Sequence, residues 1–171
     1  MPPGDAVRPT ADRVREAVFS MLESGRYGGN RVAGARVLDA FAGSGALGLE
    51  ALSRGAAHAT FMDNAGQAIA AVEANVRALG VGARARVLRA DATRPPPAPA
   101  ACDLLFLDPP YRDGAIGAAL AALAAAGWIA AGALLVVERE AKSPLDLAEG
   151  MRLEAERRYG RAAIALVAAA G

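Results

Sequence analysis

The chain has few of the residues that build metal centres and disulfide frameworks. Among its 171 residues, Cys102 is the only cysteine and His58 the only histidine. An intramolecular disulfide is therefore impossible, and so is a zinc site of the usual Cys and His type. A lone thiol fits a reducing compartment, so we expect a cytoplasmic protein that works without a metal ion.

Excess charge of one sign and long apolar runs are also lacking. The 19 basic and 18 acidic residues leave a formal net charge of +1, which is small for a nucleic-acid-binding protein. Arginines do concentrate in residues 8–36 and 152–161, so basic patches there are an alternative to solvated helix faces. No run approaches the ~20 apolar residues of a membrane-spanning helix, and we expect neither a signal segment nor contact with a membrane.

The spacing of apolar residues predicts alternating strands and helices. Strands are expected at residues 35–40, 58–63, 84–91, 103–108 and 132–140, and helices at residues 9–23, 46–55, 65–80 and 114–127. Thr10 is the expected N-cap of the first helix, and residues 152–169 are typical of a hairpin that turns at Tyr159-Gly160. This alternation favours one α/β domain with a mostly parallel sheet and helices on both faces.

Four acidic residues stand at or just after the ends of predicted strands, namely Asp39, Asp63, Asp91 and Asp108. In parallel α/β sheets, ligands bind beyond the carboxyl ends of the strands, where the strand order reverses. We therefore expect these carboxylates to line one crevice. The alternative for each of them is an ordinary helix N-cap, a position that aspartate favours.

The turn after the first strand has the spacing Gly43-x-Gly45-x-x-Gly48, and Asp63 follows about 20 residues on, as in dinucleotide-binding proteins. Asp39 argues for a different ligand, because a carboxylate at the end of the preceding strand would repel a pyrophosphate. The sulfonium and ammonium groups of S-adenosylmethionine are cationic and would be attracted. This cofactor is the favoured one, and a nicotinamide or flavin enzyme is the alternative.

An S-adenosylmethionine pocket gives each of these residues a role. The glycines of the loop, Gly43 and Gly45, let the backbone approach the cofactor. Asp63 is placed to accept hydrogen bonds from the two ribose hydroxyls. Asp91 is placed to accept one from the adenine amine, with the N–H of Ala92 nearby. Phe41 either lines the pocket or packs in the core, and packing is the simpler interpretation.

The segment LLFLDPPYRDG, residues 104–114, ends a predicted buried strand with Asp108-Pro109-Pro110-Tyr111. Two prolines remove two backbone donors and stiffen the chain. A carboxylate beside an aromatic ring suits a flat, polar ligand. The alternative is a turn in which the prolines only interrupt the strand.

Four segments together are similar to one known family. Residues 37–56 (VLDAFAGSGALGLEALSRGA) and 103–111 (DLLFLDPPY) resemble the amino-methylating branch of the S-adenosylmethionine-dependent methyltransferases. With residues 8–22 (RPTADRVREAVFSML) and 157–166 (RRYGRAAIAL), they resemble the RsmD family of bacterial 16S ribosomal RNA guanine-N2 methyltransferases. The resemblance runs from Arg8 to about Val167, nearly the whole chain.

The resemblance implies a Rossmann-like sheet of seven strands with an antiparallel C-terminal hairpin. It implies S-adenosylmethionine as cofactor, S-adenosylhomocysteine as product, and a guanine N2 amine in small-subunit ribosomal RNA as acceptor, within the assembled or assembling 30S subunit. Residues 8–30 are expected to form a helix and lid in which Arg8 and Thr10 close over the methionine end of the cofactor. Residues 35–171 are expected to form the catalytic core of a single-domain monomer.

Within this resemblance, the Asp-Pro-Pro-Tyr segment acquires a chemical role. An exocyclic amine is a poor nucleophile, so its lone pair must be oriented towards the sulfonium methyl. Asp108 can accept one N–H of the amine and the rigidly held carbonyl of Pro109 the other, with Pro110 fixing the turn. Acceptors aimed at the nitrogen stabilise the positive charge that grows there. Tyr111 would stack on the base.

One element of the family pattern is expected to be missing. Family members carry a basic strand pair ahead of the Arg-Pro-Thr block, whereas only MPPGDAV precedes Arg8. Either the natural start lies upstream or the chain has lost this element, and in the second case cofactor binding without RNA modification is the alternative. Because related enzymes use Asp-Pro-Pro-Tyr on other acceptors, methylation of adenine N6 in DNA and methylation of a protein glutamine amide also stay open. Glu138, at the end of the fifth predicted strand, is interpreted as a solvated strand end.

Overall fold

The computed structural model describes the backbone at residues 3–110 and 114–171, with side chains from residue 11 onwards. The helices are α1 (Pro3–Glu23), α2 (Ala46–Ser53), α3 (Gly66–Leu79) and α4 (Ala115–Ala125), and a 3₁₀ turn covers Gly82–Arg84. The strands are β1 (Arg36–Asp39), β2 (His58–Asp63), β3 (Ala85–Arg89), β4 (Cys102–Leu107), β5 (Ile129–Glu140), β6 (Arg152–Tyr159) and β7 (Ala162–Ala168).

All seven strands form one sheet in the order β3-β2-β1-β4-β5-β7-β6. The first five strands pair in parallel, and β7 pairs antiparallel with both β5 and β6. The strand order reverses between β1 and β4, which are neighbours in the sheet but far apart in sequence. The predicted α/β fold, with its parallel sheet and C-terminal hairpin, is thus confirmed.

Helices cover both faces of the sheet, as predicted, because successive strand residues point to opposite sides. One face packs against the first three helices through residues such as Phe19, Leu52 and Val72. The other face packs against α4 through Leu120 and Leu123. The proline-rich loop before β4 also lies on this second face, where the carbonyl of Pro96 accepts a hydrogen bond from Trp128 Nε1 at 2.8 Å. Among the described residues, no helix is both long and apolar enough to cross a membrane.

The prediction that Thr10 caps the first helix was wrong, because α1 begins at Pro3. Proline suits the first turn of a helix, where its missing N–H would have no partner. Apolar spacing is clear in the part of α1 that includes the buried residues Val18, Phe19 and Leu22. The pattern therefore placed the start of the helix too late.

The second half of α1 is fixed to the rest of the molecule by packing and charge. The rings of Phe19 and Phe106 lie 5.6 Å apart, and the guanidinium of Arg54 lies 5.0 Å from the centre of the Phe19 ring. Arg54, just after α2, also forms ion pairs with Glu23 of α1 at 2.6 Å and with Glu50 of α2 at 3.0 Å. These contacts hold α1 against α2 and the sheet.

The glycines after β1 let α2 pack tightly on the neighbouring strand. A Cβ atom at Gly48 would collide with the buried ring of Phe61, and one at Gly45 would lie 3.3 Å from the same ring. Gly45 also has a φ of 85°, a conformation that favours glycine. The start of α2 is therefore positioned by direct contact with β2.

Candidate functional site

The carboxyl ends of β1 and β4 lie side by side where the strand order reverses. Asp39 pairs with Phe106 in the sheet, and the N–H of Ala40 donates to the Phe106 carbonyl at 3.0 Å. Asp108 follows two residues after Phe106, so both aspartates lie at one edge of the sheet. This edge is the usual ligand-binding position in α/β sheets of this kind.

Asp39 is almost fully buried and attached to the start of α2. It is 2% exposed, and its Oδ2 accepts a hydrogen bond from the N–H of Gly48 at 3.0 Å. Burial raises the pKa of Asp39 from 3.8 to about 7, the Gly48 bond opposes this, and the charges of Asp108 and Asp63 add to it. A buried carboxylate near two others gains from a cationic ligand and disfavours an anion.

Asp63 connects the glycine loop to the end of β2. Its Oδ2 accepts from the N–H of Gly43 at 3.0 Å, and its Oδ1 accepts from the N–H of Ala65 at 2.9 Å. Each carboxylate oxygen has a second lone pair, so these bonds leave acceptor capacity for a ligand hydroxyl. Gly43 has a φ of 57° and open space where its Cβ would be, so the loop presents bare backbone beside this carboxylate.

The predicted adenine-binding residues lie one strand further out in the sheet. Asp91 follows β3, and its Oδ1 accepts from both the N–H and the hydroxyl of Thr93, at 2.8 and 2.7 Å. Ala92 is buried, so its side chain belongs to the core on the second face. Phe41 is half-buried against the same core, which agrees with the packing interpretation.

The Asp-Pro-Pro segment leaves the sheet directly after β4. Pro109 is buried and Pro110 is exposed. Asp108 keeps contact with solvent at the mouth of a cleft, but partial loss of hydration, followed by the charge of Glu138, raises its pKa to about 7. Tyr111 lies outside the described residues, as do the side chains of Arg8 and Thr10.

Glu138 is the residue at this edge that the sequence interpretation missed. The β4 and β5 register pairs Leu107 with Val137, which brings Asp108 and Glu138 next to each other on the same side of the sheet. Glu138 is half-buried, and loss of hydration raises its pKa. The signal was present in the sequence, because Glu138 ends a strand as the four aspartates do.

A cleft of ≈ 530 Å³ opens between α1 and the carboxyl edge of the sheet. Its walls come from α1, the start of α2, the ends of β4 and β5, and the C-terminal hairpin, and they include Val14, Arg15, Leu47, Asp108, Glu138 and Tyr159. Among the described residues, its lining does not include Gly43, Gly45 or Asp63. The Asp108 end of the predicted site thus faces this cleft, whereas Gly43 of the glycine loop faces open space.

The donor and acceptor set at this edge suits S-adenosylmethionine. Asp39, Asp63 and Asp108 are close enough for the charges of the other two to raise the pKa of Asp39. The cation in the cleft wall is Arg15, which is already paired with Asp12 at 2.9 Å. Carboxylates and a bare glycine backbone fit a cationic nucleoside better than a pyrophosphate. No group of metal-binding side chains occurs within the described ranges.

Comparison with known proteins identifies relatives over nearly the whole chain. The family model described as Conserved hypothetical protein 95 matches residues 1–168. The Putative rRNA methyltransferase YlbH of Bacillus subtilis is 42% identical over 121 residues, which cover 68% of this chain and 62% of that protein. The Ribosomal RNA small subunit methyltransferase D of Escherichia coli is 37% identical over 150 residues, 85% of this chain and 70% of that protein.

Comparison with solved structures also identifies a methyltransferase as similar to this chain. A solved structure of the putative methyltransferase yhhF from Escherichia coli has a TM-score of 0.81 and 33% identity, covering 92% of this chain and 86% of that chain. The chain thus spans less than two thirds of the Bacillus relative, although it spans most of this solved structure.

Proposed function

Because this chain belongs to the Conserved hypothetical protein 95 family, we propose that it transfers a methyl group from S-adenosylmethionine to the N2 amine of a guanine in 16S ribosomal RNA. The observation that carries this proposal is the rigid Asp108-Pro109-Pro110 segment at the point of strand-order reversal, beside a glycine loop lined with carboxylates. The names of the relatives in Bacillus and Escherichia support ribosomal RNA as the acceptor.

The cofactor supplies, when bound, an electrophilic methyl group on a cationic sulfur. In our proposal the carboxylate of Asp39 attracts the cationic end, and Asp63 accepts from the ribose hydroxyls. Bare backbone at Gly43 allows the close approach that these contacts need, and Gly45 supplies the left-handed turn that packs the loop against Phe61. Asp91 and the N–H of Ala92 are proposed to hold the adenine amine. Phe41 is proposed to line the pocket with the part of its side chain that is not packed against the core.

The proposed lid is the segment of residues 8–30, which acts within a single domain. Its helical part has two different halves. The second half is anchored in the core by Phe19, whereas Val14 and Arg15 line the cleft that contains Asp108. The block that includes Arg8 and Thr10 precedes this cleft wall directly, which supports its proposed role over the methionine end.

Asp108 and Pro109 are proposed to orient the acceptor amine. The carboxylate accepts one N–H and the Pro109 carbonyl the other, which directs the nitrogen lone pair at the methyl group. Both acceptors also stabilise the positive charge that develops on the nitrogen. Tyr111 is proposed to stack on the base, which must leave its helix or loop to reach the cleft. We place the reaction in the cytoplasm.

Exposed arginines at the β6–β7 turn support an RNA substrate despite the low net charge. Ala162 pairs with Glu140 at the end of β5, so this turn lies at the same edge of the sheet as Asp108. Arg157, Arg158 and Arg161 are exposed, and within residues 11–110 and 114–171 none of them forms an ion pair with a carboxylate. They add positive charge to the hairpin, whose Tyr159 and Ala162 line the cleft.

Replacing Arg157, Arg158 and Arg161 together with glutamine should weaken RNA binding by about tenfold or more and lower its salt dependence. Each lost phosphate contact should reduce the slope of log affinity against log salt by about one. Binding titrations at several salt concentrations measure both effects. The control replaces Arg77 and Arg86, exposed on α3 and β3 near the opposite edge of the sheet. Equal losses in both variants would reject a specific role for the hairpin.

The proposed function is tested by incubating labelled S-adenosylmethionine with small ribosomal subunits that lack the modification, with naked 16S ribosomal RNA in parallel. We expect labelled N2-methylguanosine after nuclease digestion and mass analysis. Matched reactions offer DNA and a protein glutamine amide as acceptors. Methylation of adenine N6 or of the glutamine amide would show that the proposed acceptor is wrong, although the reaction would still be amine methylation by S-adenosylmethionine. Cofactor binding in a titration without transfer to any acceptor would reject the enzyme.

A further inference from the structure

Glu138 has no part in the function proposed above, yet it is half-buried beside Asp108, and both residues line the same cleft. We propose that Glu138 shares a proton with Asp108, and that this carboxyl pair accepts the proton which the acceptor amine releases and passes it to solvent. The inference rests on the proposed function, because it assigns a step within that reaction.

The backbone register of the sheet creates the pair. Leu107 and Val137 are partners on the parallel strands β4 and β5, and their side chains point into the core that contacts α4. Alternation turns the next residues, Asp108 and Glu138, to the other side, where both line the cleft beneath α1. Since β4 leaves the sheet at this point, the pair lies where an acceptor entering the cleft would meet Asp108.

A hydrogen bond between two carboxyl groups requires a proton on one of them. Two ionised carboxylates offer acceptors only, so neither can donate to the other. Loss of hydration raises the pKa of both groups, and their mutual repulsion adds to the effect at Asp108. Two such groups release their protons in separate steps, which keeps one proton shared over a range of pH.

The helices and strands around the pair carry charged groups of both signs. Asp39 on β1 adds negative charge at the same edge, and Arg15 on α1 adds positive charge that is partly neutralised by Asp12 and Glu50. The hairpin contributes Tyr159. Glu140 and the buried Arg139 follow on β5 itself, and Arg139 is paired with Glu156. The walls from α2 and β7 are apolar.

Methyl transfer leaves one proton to remove. The amine nitrogen uses its lone pair to form the new N–C bond, and the electrons of the broken bond to carbon stay on sulfur. The nitrogen then carries a positive charge and must lose one of its two protons to give the neutral product. Asp108, which accepts one of these N–H groups in the proposed geometry, takes that proton, and the two carboxyls of the pair then share it.

Glu138 also gives the proton a way out. It lines the cleft beneath α1 and also a second cavity of ≈ 350 Å³. Pro109, Pro110 and Ser143 line this second cavity together with Glu138. A proton passed from Asp108 to Glu138 can therefore leave through the second cavity while the acceptor fills the first. The pair returns to its ionised state for the next reaction.

The pair is tested first in the full chain without cofactor, by carbon-13 NMR titration of the aspartate and glutamate carboxyls. Asp108 should titrate near pH 7 in the wild type, and its signal is assigned from an Asp108→Asn sample. In Glu138→Gln the midpoint should fall by about one pH unit or more, because a neutral donor replaces a like charge. The control Glu140→Gln, an exposed acid two residues on, should leave the midpoint unchanged. An unchanged midpoint in Glu138→Gln would overturn the shared proton.

The pH dependence of kcat then tests the role in catalysis. If the reaction needs the Asp108 carboxylate, kcat should rise about tenfold between about pH 6 and 8. The midpoint of this rise should move to lower pH in Glu138→Gln and stay in place in Glu140→Gln. A midpoint that moves in the NMR titration but not in kcat would overturn proton acceptance by the pair. Wild-type protein that methylates no acceptor would reject the proposed function, whereas the NMR result would still decide whether the proton is shared.

Discussion

Replacing Asp108 with alanine is expected to lower kcat for methyl transfer by about 10²–10³-fold. The substitution removes one of two acceptors that orient the amine, and it removes the charge that stabilises the developing cation. The affinity for S-adenosylmethionine should stay within about twofold of the wild type, because an interaction used only in the transition state lowers kcat without affecting ground-state binding. Single-turnover rates at saturating cofactor, with calorimetric titration of S-adenosylhomocysteine, measure the two effects separately.

Asp103 provides the matched control for this variant. It lies on the same strand at the amino edge of the sheet, where its Oδ2 accepts from the N–H of Arg36 at 2.9 Å. Asp103→Asn keeps an acceptor for that bond and removes a carboxylate remote from the cleft, so kcat should not change. A comparable loss in both variants would mean that general destabilisation, and not the amine contact, explains the effect at Asp108.

Replacing Asp39 with alanine should have the opposite profile. We expect the dissociation constant of S-adenosylmethionine to rise about 10- to 100-fold, the loss expected for a charged hydrogen-bonding partner. Turnover at saturating cofactor should change little. The affinity of the wild type should also increase as the pH rises through about 7, because the pKa of Asp39 lies there and only the ionised form attracts a cation. Isothermal titration at several pH values measures both.

Asp39→Asn distinguishes the effect of the negative charge from the effect of the hydrogen bond to Gly48. The amide oxygen can still accept from the N–H of Gly48, so the start of α2 keeps its contact. If asparagine weakens cofactor binding as much as alanine does, the charge is what matters. Full affinity in Asp39→Asn would mean that Asp39 only positions the helix. If Asp39→Ala kept cofactor affinity while Asp108→Ala lost it, the roles assigned to the two aspartates would be wrong.

The elements that the sequence predicted best are those with a strong local signal. The second strand was predicted with its observed bounds, and the last hairpin turns at Gly160 as expected, with a φ of 64°. β5 begins at Ile129, earlier than predicted, because backbone pairing with Cys102 extends it through small residues that show no alternation. The start of a strand that is set by backbone pairing, or of a helix that is set by a proline, cannot be predicted from the spacing of apolar residues.

The sequence predicted which residues of the candidate site lie at strand ends. It did not predict which of these strand ends are adjacent in the sheet. Each aspartate could be placed at the carboxyl end of its strand from the sequence alone. Which ends are adjacent depends on strand order and register, and these bring Glu138 of β5 beside Asp108 of β4. The interpretation of Glu138 as a solvated strand end failed for this reason. The residue contacts that matter most here join strands that are far apart in the chain.

The contact between Gly48 and Phe61 makes the glycine loop after β1 an extension of the hydrophobic core. Because the helix after the loop rests on a buried ring, the loop cannot be reshaped while the ring stays in place. An engineer who wished to change the nucleoside accepted by this site would have to redesign Phe61 and its neighbours together with the loop. Natural variants would meet the same barrier, so ligand preference at this edge and core packing are expected to evolve as one unit.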